Sequence, residues 1–183
     1  MSLYNGNADT SIISLSKQIS QLSCQLSACT TGGTHPESSF GASSAIVLAT
    51  PEYEDLRAQL NDAALDLLRL VNGPKNTLRT LCFSHYDLSA LQIAVERGFF
   101  DHVPLAVDIS GLGSDNQEQE SINIADIAIK AGIDEDRAGR VLRLLATHRI
   151  FEEIGSGSGK FKHTAMSALL ARDKDFHALV HMQ

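Results

Sequence analysis

Cysteine is scarce in this sequence. Cys24, Cys29 and Cys82 are an odd number without C-x-x-C spacing, which excludes a disulfide scaffold and fits free thiols in a reducing compartment. No run of 18 apolar residues occurs, so no segment reads as a membrane span. The opening Met1-Ser2-Leu3-Tyr4-Asn5 has neither the basic stretch nor the apolar stretch of a secretory signal. These absences point to a cytoplasmic protein with no membrane partner. Positive charge is also short: 15 Lys and Arg face 22 Asp and Glu, a net −7 that argues against nucleic acid as the partner. What remains is a 183-residue chain, 43% hydrophobic, with enough apolar material for a core and none of the bias of a collagen-like or wholly disordered chain.

The charge is unevenly spread. Residues 1–45 hold only Asp9, Lys17 and Glu37. Residues 46–121 carry 5 basic and 12 acidic side chains, and residues 122–183 carry 9 and 8. The acidity therefore belongs to the middle of the chain. We divide the sequence into an amphipathic arm with a flexible Gly/Ser/Thr linker over 1–45 and a helical body over 46–183.

In the arm, Ile12, Leu15, Ile19, Leu22, Leu26 and Cys29 recur at alternating steps of three and four, the spacing of one apolar helix stripe. Periodicity alone fits a helix lying on its own domain or one packed on another subunit. The stretch Thr30 to Ser39 follows as the linker. Thr50-Pro51-Glu52 then opens a helix with a capping residue, a proline at the first position and an early acid. Tyr53, Leu56, Leu60, Ala64, Leu67 and Val71 form its stripe, and Asn72-Gly73-Pro74 should stop it. Leu78, Leu81 and Phe83 predict a short helix, and a further one should open at Asp87, bury Leu88, Leu91, Val95 and Phe99, and end near Gly98.

The last third reads as a winged helix-turn-helix. Asn123 can cap a helix bearing Ile124, Ile127, Ala128 and Ala131. Gly132-Ile133 make the turn, and Asp134 caps a second helix burying Ala138, Val141, Leu142 and Leu145. A hairpin follows, with Ile150, Glu152 and Ile154 on one face, a tip at 155–159 and Phe161 across the pair. Thr164 or Ser167 should cap a last helix running through Leu169, Leu170, Phe176, Leu179 and Val180. The fold class is mainly α: a winged helix with a small β-hairpin wing plus additional N-terminal helices.

Arg137, Arg140 and Arg143, with Lys160 and Lys162 on the wing, are what a DNA-binding regulator would present. Asp134, Glu135 and Asp136 oppose that reading, because three carboxylates at the helix start repel phosphate. No catalytic, cofactor-binding or metal-binding residues stand out. The histidines lack metal-ligand spacing, and the pair His177 and His181 lacks an H-E-x-x-H context. Val107 to Gly113 contains an acid and two glycines, but the polar run Ser114 to Glu120 follows instead of a helix, so it reads as a surface loop.

Asp87-Leu88-Ser89-Ala90-Leu91, Val103-Pro104, Asn123 to Ala128 and Arg140 to Leu145 recur in one family in this order and spacing. So do Arg149-Ile150-Phe151-Glu152-Glu153 and Phe161 to Ser167. On these pieces the chain resembles the N-terminal dimerisation domain of fungal S-adenosylmethionine-dependent O-methyltransferases of secondary metabolism, over about 70% of its length with the arm and linker outside. The resemblance implies a homodimer built on interleaved helices, with Leu56, Leu60, Leu67, Leu88, Leu91 and Val95 at the dimer interface. It places Phe161 and His163 at the edge of an acceptor pocket. It further implies that S-adenosylmethionine and the catalytic base belong to a C-terminal methyltransferase domain beyond Gln183, so that this chain alone should be inactive. The alternatives are the DNA-binding regulator and part of a methyltransferase-fold enzyme with a non-methylating reaction.

Overall fold

The computed structural model describes residues 11–31, 37–45, 47, 49–105 and 121–181. In order, its elements are α1 (Ile12–Thr31), α2 (Pro51–Glu96), α3 (Phe99–His102), β1 (Ser121–Asn123), α4 (Ile124–Ala131) and α5 (Glu135–Thr147), then β2 (Phe151–Glu153), β3 (Lys160–His163), α6 (Ala165–Arg172) and α7 (Lys174–His181). The chain forms two compact units. One comprises residues 1–38 and 45–83, the other residues 39–44 and 84–183.

In the first unit the arm is helical, as its three-four spacing predicts, with Leu15 and Leu22 buried. On α2, Tyr53 and Ala63 are buried, and Leu56, Leu60 and Leu67 are half-buried on the same side of the helix. Thr50 caps the start, its hydroxyl accepting from the Tyr53 N–H at 3.3 Å. The expected stop at Asn72-Gly73-Pro74 is there: the first helical segment of α2 ends at Gly73, and a second segment follows it directly. Gly73 takes φ 66°, ψ 170°, a conformation essentially confined to glycine, and helix resumes at Pro74. Proline suits that place because the first residue of a helix has no intrahelical partner for an N–H. From Lys75 to Glu96 no glycine or proline interrupts, so the separate helices expected near 78–83 and from Asp87 are one. Asp87 is accordingly not a cap. Its carboxylate faces the His148 imidazole at 3.0 Å.

The second unit holds the main core, with Phe99, Phe100, Phe151, Phe161, Ile127, Leu142 and Leu145 fully buried. Its helix-turn-helix follows the sequence closely. Asn123 Oδ1 accepts from the Asp126 N–H at 2.8 Å. Gly132 adopts the left-handed conformation that ends α4, and Asp134 Oδ1 accepts from the N–H groups of Asp136 and Arg137. The wing is a three-stranded antiparallel sheet in the order β1-β3-β2. β1, not anticipated from sequence, pairs Ile122 with Phe161. β2 pairs Phe151 with His163 and Glu153 with Phe161. The buried side of β2 is therefore that of Phe151 and not that of Ile150, because the larger ring stacks on Phe100 with centroids 5.1 Å apart.

The expected single last helix is two. Asp173 leaves helical geometry and its carboxylate accepts from the Phe176 N–H at 2.9 Å, which starts α7. The stretch Ser39–Ser44, read from sequence within a linker, packs on this second unit. Gly41 bridges Thr164 in antiparallel fashion, the Ala165 N–H donates to Phe40 O at 2.9 Å, and Arg172 Nη1 donates to Ala42 O at 2.9 Å.

Candidate functional site

The six leucine and valine positions expected at a dimer interface are not equivalent. Val95 is 4% exposed, inside the core of the second unit, and Leu91 is half-buried against the same core. Leu56, Leu60 and Leu67 share the inward side of their helix, and Leu56 lines a cleft with Ala28 and Cys29 of α1. Leu88 alone of the six is strongly exposed, at 66%. Other apolar side chains of α2 are exposed as well: Leu68 at 57%, Val71 at 62% and Leu78 at 61%, with Leu65 close behind. The helix thus presents apolar surface along both of its segments. Scattered exposed leucines are ordinary, but this many on one element is more than a solvated helix needs.

Phe161 and His163 belong to the interior of the second unit. Phe161 is fully buried at the middle strand of the sheet, and His163 is almost so. The His163 Nε2 lies 3.0 Å from Val103 O, which only accepts, so Nε2 carries the proton and donates. Nδ1 is then an acceptor, buried without a protein partner. Around it lie Phe151, with ring centroids 5.9 Å apart, and then Phe100, which touches His177 edge-on. Burial pushes the imidazole below its ordinary range. The bond to Val103 O and the Asp101 carboxylate act in the opposite sense, while Arg172 adds to the lowering.

That shift has a sign for stability. In the unfolded chain the imidazole takes a proton near pH 6.5, whereas the folded chain keeps it neutral to lower pH. The unfolded state therefore binds more protons below about 6.5. Stability from this group is present above that pH and falls as pH drops towards the lowered folded value. Thermal melts at pH 7.5 and 5.5 should show a smaller loss in His163→Phe than in the unsubstituted protein. Equal losses would remove His163 as the source.

On the helix-turn-helix, Arg140 pairs with Asp136 at 2.6 Å, Arg143 approaches Glu153 at 4.0 Å and Lys162 pairs with Glu152 at 3.2 Å. These cations already face carboxylates, and Asp134 is committed to the helix start. Carboxylates thus interleave with the cations of this face. Between α2 and α5 the same unit has an open groove of about 580 Å³ whose floor includes Ala90, Ile93, Val141 and Leu144. Sequence reasoning does not reveal it, because its two sides lie 36 residues or more apart in the chain.

No cluster of three His, Cys, Asp or Glu among the described residues could hold a metal ion. A methyl-donor site needs a glycine-bearing strand-to-helix turn. β1 runs directly into α4, and β3 reaches α6 through Thr164 alone, so neither turn supplies one. The Val107–Gly113 stretch lies outside the described residues. The described part of the chain does not fit the donor. Among the described residues no helix is long and apolar enough to cross a membrane.

Comparison with known proteins places this architecture. O-methyltransferase sol2 of Alternaria solani is 37% identical over 171 residues, 93% of this chain and 36% of the relative. O-methyltransferase CTB2 of Cercospora beticola is 31% identical over 150 residues, 80% of this chain and 30% of the relative. The chain thus spans about a third of the length of these fungal relatives. Their similarity extends beyond the 70% recognised from motifs. The crystal structure of OxaC in complex with SAH and oxaline has the same fold, with a TM-score of 0.56 at 18% identity, over 86% of this chain and 32% of that one. Residues 80–173 match the O-methyltransferase dimerisation domain, and with helix, turn and wing where that match falls, the chain belongs to this family.

Proposed function

We propose that the chain works as the homodimerising part of a fungal O-methyltransferase that uses S-adenosylmethionine to methylate a secondary metabolite. In this reading the donor and the catalytic base sit on a further methyltransferase domain. The chain's own contribution is architectural: it holds two copies together and helps cover the acceptor pocket. One observation carries the proposal: in a chain of the dimerisation family, α2 exposes Leu65, Leu68, Val71 and Leu78 in the first unit and Leu88 in the second. Burying such surface is the main favourable term in obligate association.

Light scattering at tens of micromolar should give twice the 19.7 kDa of one chain. A strict monomer at that concentration would overturn the proposal.

A further inference from the structure

We infer that the groove between α2 and α5 receives the acidic outer face of residues 51–71 from a second copy of this chain. The inference rests on the dimer reading and adds to it the identity of the two surfaces that meet. The groove has an apolar floor and a basic rim. Ala90, Ile93, Val141 and Leu144 line the bottom, while Arg97, Arg137 and Arg140 stand at the edges against one acid, Glu96. Glu96 accepts a hydrogen bond from Gln92 at 3.0 Å. Arg140 pairs with Asp136, but both side chains are at least 70% exposed, and such a pair exchanges partners at little cost. Apolar floor and charged rim are what an amphipathic helix docks into.

The first segment of α2 has the matching character. Its inward side, with Tyr53 and Ala63, is buried already. Its outer side is a second apolar strip of Ala58, Leu65 and Leu68, all exposed. Asp55, Asp62 and Asp66 follow each other at intervals of seven and four, so they fall within about 40° on the helix and border that strip. The segment thus offers apolar side chains for the floor and the exposed carboxylates of Asp55 and Asp62 for the arginines, while Asp66 pairs with Arg69 at 2.8 Å within the segment. The arm α1 offers no such match, since its one charged side chain is Lys17. Duplex DNA would find arginines but no use for the apolar floor. In a two-fold dimer each copy gives one helix and one groove, so the same contact forms twice and the assembly closes.

Charge exchange on the full chain tests this. Arg137→Glu with Arg140→Glu, and separately Asp55→Arg with Asp62→Arg, should each raise the dimer dissociation constant at least about tenfold, read by sedimentation equilibrium. Combining all four changes should restore it to within about threefold of the original. Circular dichroism melts of each variant check folding, and because all four side chains are exposed, the melts of the separated chains should match. Unchanged dissociation constants in both double variants would overturn the groove assignment and leave the dimer itself standing. Weakening in both without restoration in the fourfold variant would also overturn it. A monomeric unsubstituted chain would remove the dimer reading and this inference together. Salt-dependent binding to a labelled duplex, lost in the Arg137→Glu, Arg140→Glu protein while its dimerisation is intact, would assign the rim to DNA and overturn it.

Discussion

Replacing Phe161 by alanine should lower the unfolding free energy by about 3–5 kcal/mol, the range seen when a fully buried aromatic ring is removed from a core. Phe161 sits on the middle strand, paired with Ile122 on one side and Glu153 on the other, and is fully buried. The truncation removes the ring's transfer energy and leaves a cavity walled by a sheet. That sheet is held by main-chain ladders on both edges and has little room to collapse. Phe161→Leu should recover most of the loss, because it refills much of the volume. Urea denaturation followed by circular dichroism measures both. A loss below about 1 kcal/mol for the alanine variant would mean that the site relaxes freely.

The second large effect is expected at Thr164. Its hydroxyl is 2.7 Å from Arg149 O and 2.9 Å from Ile150 O, and its N–H donates to Ser167 Oγ at 2.9 Å. The residue is buried, so no water replaces a lost donor. Arg149 is held at φ 59°, a left-handed conformation that costs a non-glycine residue energy, and the threonine hydroxyl fastens its carbonyl. Thr164→Val keeps the shape and deletes the donor. It should cost about 1–3 kcal/mol, and Thr164→Ser should restore most of that. Hydrogen exchange should quicken first where α5 turns into β2. Unchanged exchange there, with unchanged stability, would show that the two carbonyls need no donor.

Both sites lie in the part of the molecule that the sequence describes best. The helix-turn-helix is legible because its boundaries are written in side chains that act locally. Asn123 and Asp134 satisfy N–H groups within three residues, and Gly132 takes a conformation open to few others. The restart at Pro74 is less legible, since the same Gly-Pro pair that signals an end also begins a helix. β1 is three residues long, too short for alternation to register, and exists because β3 offers it an edge. The docking of 39–44 leaves no side-chain signature, as it uses the carbonyls of Phe40 and Ala42 and the main chain of Gly41.

The surface of α2 is less legible. A stripe such as Leu56, Leu60 and Leu67 says that a helix is covered, not by what. In the structure that stripe lies on the same side as the buried Tyr53 and Ala63. The strip of Ala58, Leu65 and Leu68 is visible in the sequence only once the first side is known to be occupied. The motif that carries the resemblance includes Phe161 and His163, and both are buried.

The position of Ser39–Ser44 bears on where this protein tolerates being cut. The chain passes between its two units three times, near residues 38, 44 and 83, so no single nick separates one unit from the other with both complete. A shortened protein beginning at residue 46, the natural choice from a linker seen in sequence, would discard a strand-like neighbour of Thr164. The Ala165 N–H and the Arg172 guanidinium would lose their acceptors, and the Arg149 guanidinium would lose the Phe40 ring 5.2 Å beneath it. The winged half carries part of its own edge in residues that precede α2 in the chain.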